Sequence, residues 1–235
     1  MSRLSKIIAA AGPKGNVEAV RQLSEQARDI HADAVFLVGS LTPKDADPRE
    51  YGRVLTALGE TKLPAFYIPG AEDAPFGEFL REAANIETVF PNIHGVHGTF
   101  AMAPGHEVVT GMGGTILDEI TASRDETETL RYPGWEVEYR LKFLRELKDY
   151  PRVFLFTTFP EHKGLHEDGS AVVAEVIKTY KPHLALVGGR EHKHEMIGTS
   201  LLIGLGSLAE GAFTVIDMRK GEARPGVLRH TASAA

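Results

Sequence analysis

Five short apolar runs, each closed by a cluster of Gly, Pro or small polar residues, constrain this chain more than any other feature. They lie at 4–11, 34–38, 65–68, 153–156 and 184–187. Runs of this length between breakers read as buried strands. The first ends in Gly12-Pro13-Lys14-Gly15-Asn16, and Val17, Val20, Leu23, Ala27 and Ile30 then follow helical spacing with Asn16 as N-cap. The second ends in Gly39-Ser40-Leu41-Thr42-Pro43. Asp47-Pro48-Arg49-Glu50 then combines N-cap, first-turn proline and capping-box glutamate, ahead of Tyr51, Val54, Leu55 and Leu58. The third ends in Pro69-Gly70-Ala71-Glu72-Asp73, and Pro75 opens a helix with Phe76, Phe79, Leu80 and Ala83 on one side. Asp73, just before Pro75, reads as a cap for that helix. Strand, loop and helix repeated three times predict a mostly parallel sheet with helical crossovers. Polar residues just past the C-terminal ends of such strands are where open α/β sheets place their sites.

The middle of the chain is strand-rich near 86–90, 95–103 and 106–112. The polar, acidic stretch 115–131 reads as a surface loop. Residues 133–149 read as a helix in which Trp135 and Tyr139 pack inward. Ser170 caps a helix carrying Val173, Val176, Ile177 and Tyr180. A strand over 197–203, a tight inter-strand turn at Gly204-Leu205-Gly206-Ser207 and a strand over 213–217 follow, with 219–235 as a loose tail. Antiparallel strands between and after two α/β halves suit a sandwich of two sheets with helices outside, in a single domain over 1–235.

The 235 residues are 43% apolar and 25% charged, enough for one sizeable core. The net charge of −6 argues against a broad nucleic-acid surface. Without cysteine there are no disulfides and no thiolate metal sites, which suits a cytoplasmic protein. No run approaches the ~18 apolar residues of a spanning helix, so no membrane association is expected. Gly111-Met112-Gly113-Gly114 lacks the Lys and Ser/Thr of a phosphate loop. Ser207 is not in a Gly-x-Ser-x-Gly elbow.

Read in order, the strand-end clusters resemble the motifs of the calcineurin-like metallophosphoesterases, and the resemblance spans nearly the whole chain. Gly12-Pro13-Lys14-Gly15-Asn16 corresponds to that family's Asp-x-His-Gly-Asn, Gly39-Ser40 to its Gly-Asp, and Gly70-Ala71-Glu72-Asp73 to its Gly-Asn-His-Asp. Thr157, or Thr158 after a one-residue slip, takes the place of the strand-end His. Gly188-Gly189-Arg190-Glu191 corresponds to Gly-His-x-His, and Gly204-Leu205-Gly206-Ser207 to Asn-Pro-Gly-Ser. The resemblance implies a four-layer αββα sandwich, two mixed sheets with outer helices. It also implies that the inherited metal positions are now Gly12, Lys14, Ser40, Ala71, Thr157, Gly189 and Glu191. Glu72 and Asp73 stand at the family's catalytic positions. Two-metal phosphoester hydrolysis needs hard donors around both ions. Gly12 and Ala71 offer none, and a lysine repels a cation. Loss of ordinary dinuclear catalysis is therefore the expectation, with no cofactor.

Three readings of the vacated cleft follow. Lys14 and Arg190 can pair with Glu72 and Glu191 as an ion cluster filling the old metal site. Alternatively Lys14, Gly15, Asn16 and Arg190, with the backbone amides of 12–16 at a helix N-terminus, can hold the anionic group of a phosphorylated small molecule. In the third, His162, His166, His192 and His194 build a displaced site for Mn, Fe or Zn in an active phosphoesterase, since His at i and i+2 of a strand share a face. A protein partner, or a structural role in a homo-oligomer or larger assembly, completes the set of expectations.

Overall fold

The computed structural model describes residues 4–119, 125, 127–163, 168–189 and 192–228. The chain opens β1 (Lys6–Ala11), α1 (Val17–Asp29), β2 (Ala34–Val38), α2 (Arg49–Gly59), β3 (Ala65–Ile68), α3 (Phe76–Val89) and β4 (Ile93–Gly95). It continues with β5 (Phe100–Ala103), β6 (Glu107–Met112), β7 (Thr115–Leu117), β8 (Arg131–Pro133), α4 (Gly134–Arg140) and a 3-10 segment, Leu141–Arg145. Then come β9 (Arg152–Phe156), α5 (Ala171–Tyr180), β10 (Leu184–Gly188), β11 (Lys193–Ile197), β12 (Ser200–Leu205), β13 (Ala212–Asp217) and β14 (Glu222–Val227).

One sheet has the order β14-β13-β1-β2-β3-β4, with β1 to β4 parallel and β13 antiparallel to both of its neighbours. The other runs β11-β12-β10-β9-β6-β5, parallel from β12 through β6 and antiparallel at both edges. A small third sheet joins β7 and β8.

Side-chain alternation explains the layering. Along β1, Ile8 and Ala10 point to a core shared with α1 to α3, while Ile7, Ala9 and Ala11 point to a second core between the sheets. Val35 and Leu37 against Ala34, Phe36 and Val38 repeat the pattern on β2. On β9, Val153 and Leu155 face the inter-sheet core, whereas Phe154 and Phe156 pack with Val137, Leu141, Val173 and Ile177 of the outer helical segments. Successive strand residues point to opposite faces, so each fully apolar strand feeds two cores at once. This is the expected αββα sandwich. Asn16 and Ser170 act as the expected N-caps, accepting from the amides of Ala19 (3.0 Å) and Val173 (3.2 Å).

Several expectations are corrected. Residues 86–89 belong to α3, because Phe79, Ala83, Ile86 and Phe90 all meet the first outer core. At α2 the Asp47 carboxylate caps as expected, accepting from the Arg49 amide at 2.9 Å with Pro48 already helical, but the Glu50 carboxylate lies beside Gly15 and does not close the capping box. Of the 133–149 helix only Gly134–Arg140 is α-helical, and Trp135 and Tyr139 are exposed, at 60% and 61%. The stretch 115–131 contributes β7 and the start of β8 rather than loop alone. The predicted strand over 197–203 is a hairpin, β11 turning at Gly198 into β12, and β12 runs through Gly204 and Leu205 instead of turning there. Within the expected tail, β14 pairs with β13 along its length. Edge strands tolerate a proline such as Pro225, which would interrupt a central strand.

Candidate functional site: a glycine-walled cleft at the strand ends

The parallel strands of both sheets deliver their C-terminal ends to one cleft of about 660 Å³. Gly12 and Lys14 come from β1, Gly39 and Ser40 from β2, and Gly70, Ala71 and Glu72 from β3. Thr157 and Thr158 follow β9, and Gly188 and Gly189 close β10. The five clusters singled out in the sequence therefore converge. Sequence reasoning missed Gly114, Thr115, Ala209 and Glu210, which also line the cleft, as does Ser207 of the segment matched to Asn-Pro-Gly-Ser. The signal for the first two lay in Gly113-Gly114, rejected as a phosphate loop but still a tight turn after a buried strand.

Lys14 and Glu72 face each other across the mouth with Nζ 3.2 Å from Oε2, their side chains 49% and 39% exposed. An exposed pair of this kind contributes little to stability, ~0–1 kcal/mol. Half of the expected ion cluster is thus present. Arg190, Glu191 and His166 lie outside the described residues. The Glu72 amide donates to the Ser40 hydroxyl at 3.2 Å. Thr157 and Thr158 both donate their hydroxyls to the Gly114 carbonyl.

Asp73 is not a helix cap. Its carboxylate is fully buried and ties together two strand-end loops. It accepts from the amides of Leu41 (2.7 Å), Thr42 (2.9 Å) and Gly70 (2.7 Å) and from the Thr42 hydroxyl (3.2 Å). The helix α3 instead begins at Pro75 without any side-chain cap. Burial pushes the Asp73 carboxyl up to about 6, against the opposing pull of these donors. An unfolded aspartate titrates near 3.8. Between these values the folded state holds the proton more tightly, so this group's contribution to stability is full below the unfolded value and fades as pH rises through about 6. The stability difference between wild type and Asp73→Asn should therefore shift against wild type by about 2 kcal/mol between pH 4.5 and 7.5, read from paired urea titrations.

The backbone anion cradle expected at 12–16 is also corrected. The amides of Gly12, Lys14, Gly15 and Asn16 are donated to the Val38, Ser40, Leu41 and Pro13 carbonyls, and Pro13 has none. Gly15 is packed against Glu50 and Pro43, and Asn16 lines a separate small cavity. Of the described anion candidates, only Lys14 reaches the cleft.

Of the displaced candidates, the described His162, His192 and His194 do not line this cleft. The rings of His192 and His194 sit 6.2 Å apart at the sandwich edge, with His192 Nδ1 3.2 Å from the Thr214 hydroxyl. Burial, and then the neighbouring His194, lowers the basicity of His192. His162 lines neither this cleft nor its neighbour. Among the described residues, no three His, Cys, Asp or Glu side chains cluster to hold a metal.

The resemblance implies a two-metal centre at these strand ends. The described wall offers hydroxyls already engaged at Ser40, Thr157 and Thr158, further hydroxyls at Thr115 and Ser207, a glutamate paired with lysine, a second glutamate at Glu210, and bare glycines. Paired divalent cations require several hard oxygen or imidazole ligands around each ion. These described residues do not fit such a centre.

An αββα sandwich with strand-end loops converging on one cleft is the architecture of a phosphoesterase-type domain. The sequence matches the family described as metallophosphoesterase, calcineurin superfamily, over residues 44–228. The chain belongs to that family. It is 47% identical to the Thermus thermophilus protein TT1561, covering 97% of this chain and 100% of that one, with a TM-score of 0.93. A second solved chain, 26% identical over 97% of this chain and 100% of its own, gives a TM-score of 0.86. A novel archaeal phosphodiesterase shares the fold at 12% identity, with a TM-score of 0.54 over 95% of this chain and 99% of that one. No functionally curated protein matches the chain. Among the described residues no helix is long and apolar enough to cross a membrane.

Proposed function

We propose that this member of the family has exchanged two-metal hydrolysis for binding, and that its cleft takes the anionic group of a phosphorylated small molecule. The observation that carries this reading is the composition of the wall: Lys14 at the mouth paired with Glu72, hydroxyls behind it, one further carboxylate at Glu210, and no cluster of three metal donors among the described residues. Lys14 is already held beside the cleft by Glu72. An incoming phosphate competes with that carboxylate for the ammonium group. Its greater charge and additional acceptor oxygens favour the exchange, and the Ser40 hydroxyl, which accepts from the Glu72 amide, keeps its own proton to donate. Gly12 leaves open space in the wall, since nothing lies within 4 Å of its would-be Cβ.

The test is calorimetric titration with inorganic phosphate and with adenosine monophosphate, in buffer with and without a chelator. Binding should persist in the chelator. Lys14→Ala should weaken it at least about tenfold, the loss of one charge-assisted contact. Binding that needs added Mn²⁺, Fe²⁺ or Zn²⁺, together with hydrolysis that His192→Ala and His194→Ala abolish, would instead establish the displaced-metal enzyme. Absence of any phosphate binding would leave the cleft to a protein partner.

A further inference from the structure

The two sheets end in four edge strands, and three of them carry protection against pairing with another chain. β14 holds Glu222, Arg224 and Pro225; β11 holds Lys193, His194 and Glu195; β4 is three residues long. Charges, proline and short length are the usual means of blocking edge-to-edge association. β5, four residues long, has neither charge nor proline. Its sequence is Phe100-Ala101-Met102-Ala103, and Phe100 and Met102 are 41% and 42% exposed.

This bare edge continues into an apolar surface. The Phe100 ring lies 5.1 Å from that of Phe143. Trp135 and Tyr139 lie four residues apart on α4, a spacing that keeps both on one flank, and Phe143 follows in the 3-10 segment. The Lys142 ammonium group sits 3.8 Å above the Tyr139 ring. Trp135 and Tyr139 meet solvent over 60% and 61% of their surface. Side chains of this size carry roughly 150–250 Å² each, so the four exposed residues present on the order of 400 Å² of apolar area. That is about half of the ~800 Å² each partner buries in a stable interface, and such interfaces have an apolar aromatic centre within a polar rim.

We infer that this surface is a two-fold interface between two copies of the chain, with β5 pairing antiparallel to its own mate and α4 packing beside it. Three features favour a second copy over another partner. The main-chain edge of an antiparallel strand is complementary to itself. The patch has about the area of one half of an interface core. The same segment carries exposed charges of both signs, Glu138, Lys142, Arg145 and Glu146, with Lys142 over the Tyr139 ring, which a two-fold axis can set against each other.

Trp135 is the chain's sole tryptophan and reports the contact directly. Sedimentation equilibrium of the full chain should give twice the 25.6 kDa of one copy, and tryptophan emission should move to longer wavelength as dilution separates the copies. Tyr139→Ser should raise the dissociation constant at least about tenfold, as truncation of a central aromatic anchor does. Phe100→Ser should act likewise, with the fold of both variants checked by circular dichroism. Val227→Ser, on the opposite sandwich edge and 73% exposed, should change nothing. A single-copy mass at every concentration would overturn the inference. So would a dimer whose emission ignores dilution, or one that Val227→Ser dissociates and Tyr139→Ser does not.

Discussion

Asp73→Ala should destabilise the fold by about 3–5 kcal/mol at pH 7, through the main-chain donors it leaves buried without an acceptor. The amides of Leu41, Thr42 and Gly70 all point at this one carboxylate, and none can turn to solvent from a fully buried site. An unmade buried hydrogen bond costs about 1–3 kcal/mol, and these share one acceptor. The measurement is chemical denaturation of both proteins under identical buffer. A loss below about 1 kcal/mol would mean that water replaces the carboxylate and that the clamp is dispensable. Asp73→Asn should fall between the two, because its amide oxygen still accepts while its nitrogen faces donors.

Gly39→Ala should damage the same junction by a steric route. A Cβ at Gly39 would lie 2.0 Å from the Gly70 amide nitrogen and 2.4 Å from the Pro69 carbonyl carbon. Both contacts are with backbone, which cannot rotate away as a side chain can. The reciprocal position is equally tight, since a Cβ at Gly70 would lie 2.4 Å from the Ser40 amide nitrogen. The loops after β2 and β3 therefore touch main chain to main chain. The expected loss exceeds about 4 kcal/mol, in the range reserved for overpacking and backbone clash. Denaturation midpoint and soluble yield would both report it. Gly77→Ala supplies the contrast, because nothing lies within 4 Å of its would-be Cβ and alanine favours the helix there. Its stability should be unchanged or slightly higher.

How much of this was legible depended on the range of the interactions. The strands were readable because Ile7-Ile8-Ala9-Ala10-Ala11 and its counterparts are apolar on both faces, which a two-sheet interior demands. The caps at Asn16 and Ser170 were readable because each bonds an amide three residues away. Asp73 was misread for the opposite reason. Its partners Leu41 and Thr42 lie 32 and 31 residues back along the chain, and local grammar saw only the nearby Pro75. The amides of 12–16 look available in the sequence, yet the neighbouring β2 loop supplies most of their acceptors. Trp135 and Tyr139 were assigned to packing by their size, whereas Val137 and Leu141 take the inward positions of that segment. The cleft itself is legible because the five clusters each end a buried strand, and parallel strands bring such ends to one side.

The junction of Gly39, Gly70 and Asp73 divides the cleft's residues into two groups. Those three hold the architecture, and substitutions there are felt in folding. Lys14, Ala71 and Glu72 stand in the same cavity but belong to none of the three hydrophobic cores. Their side chains can be exchanged with little consequence for the sandwich behind them. Such a division makes the domain evolvable: new chemistry can be tried at the loose positions while the fixed ones preserve the shape in which it is tried.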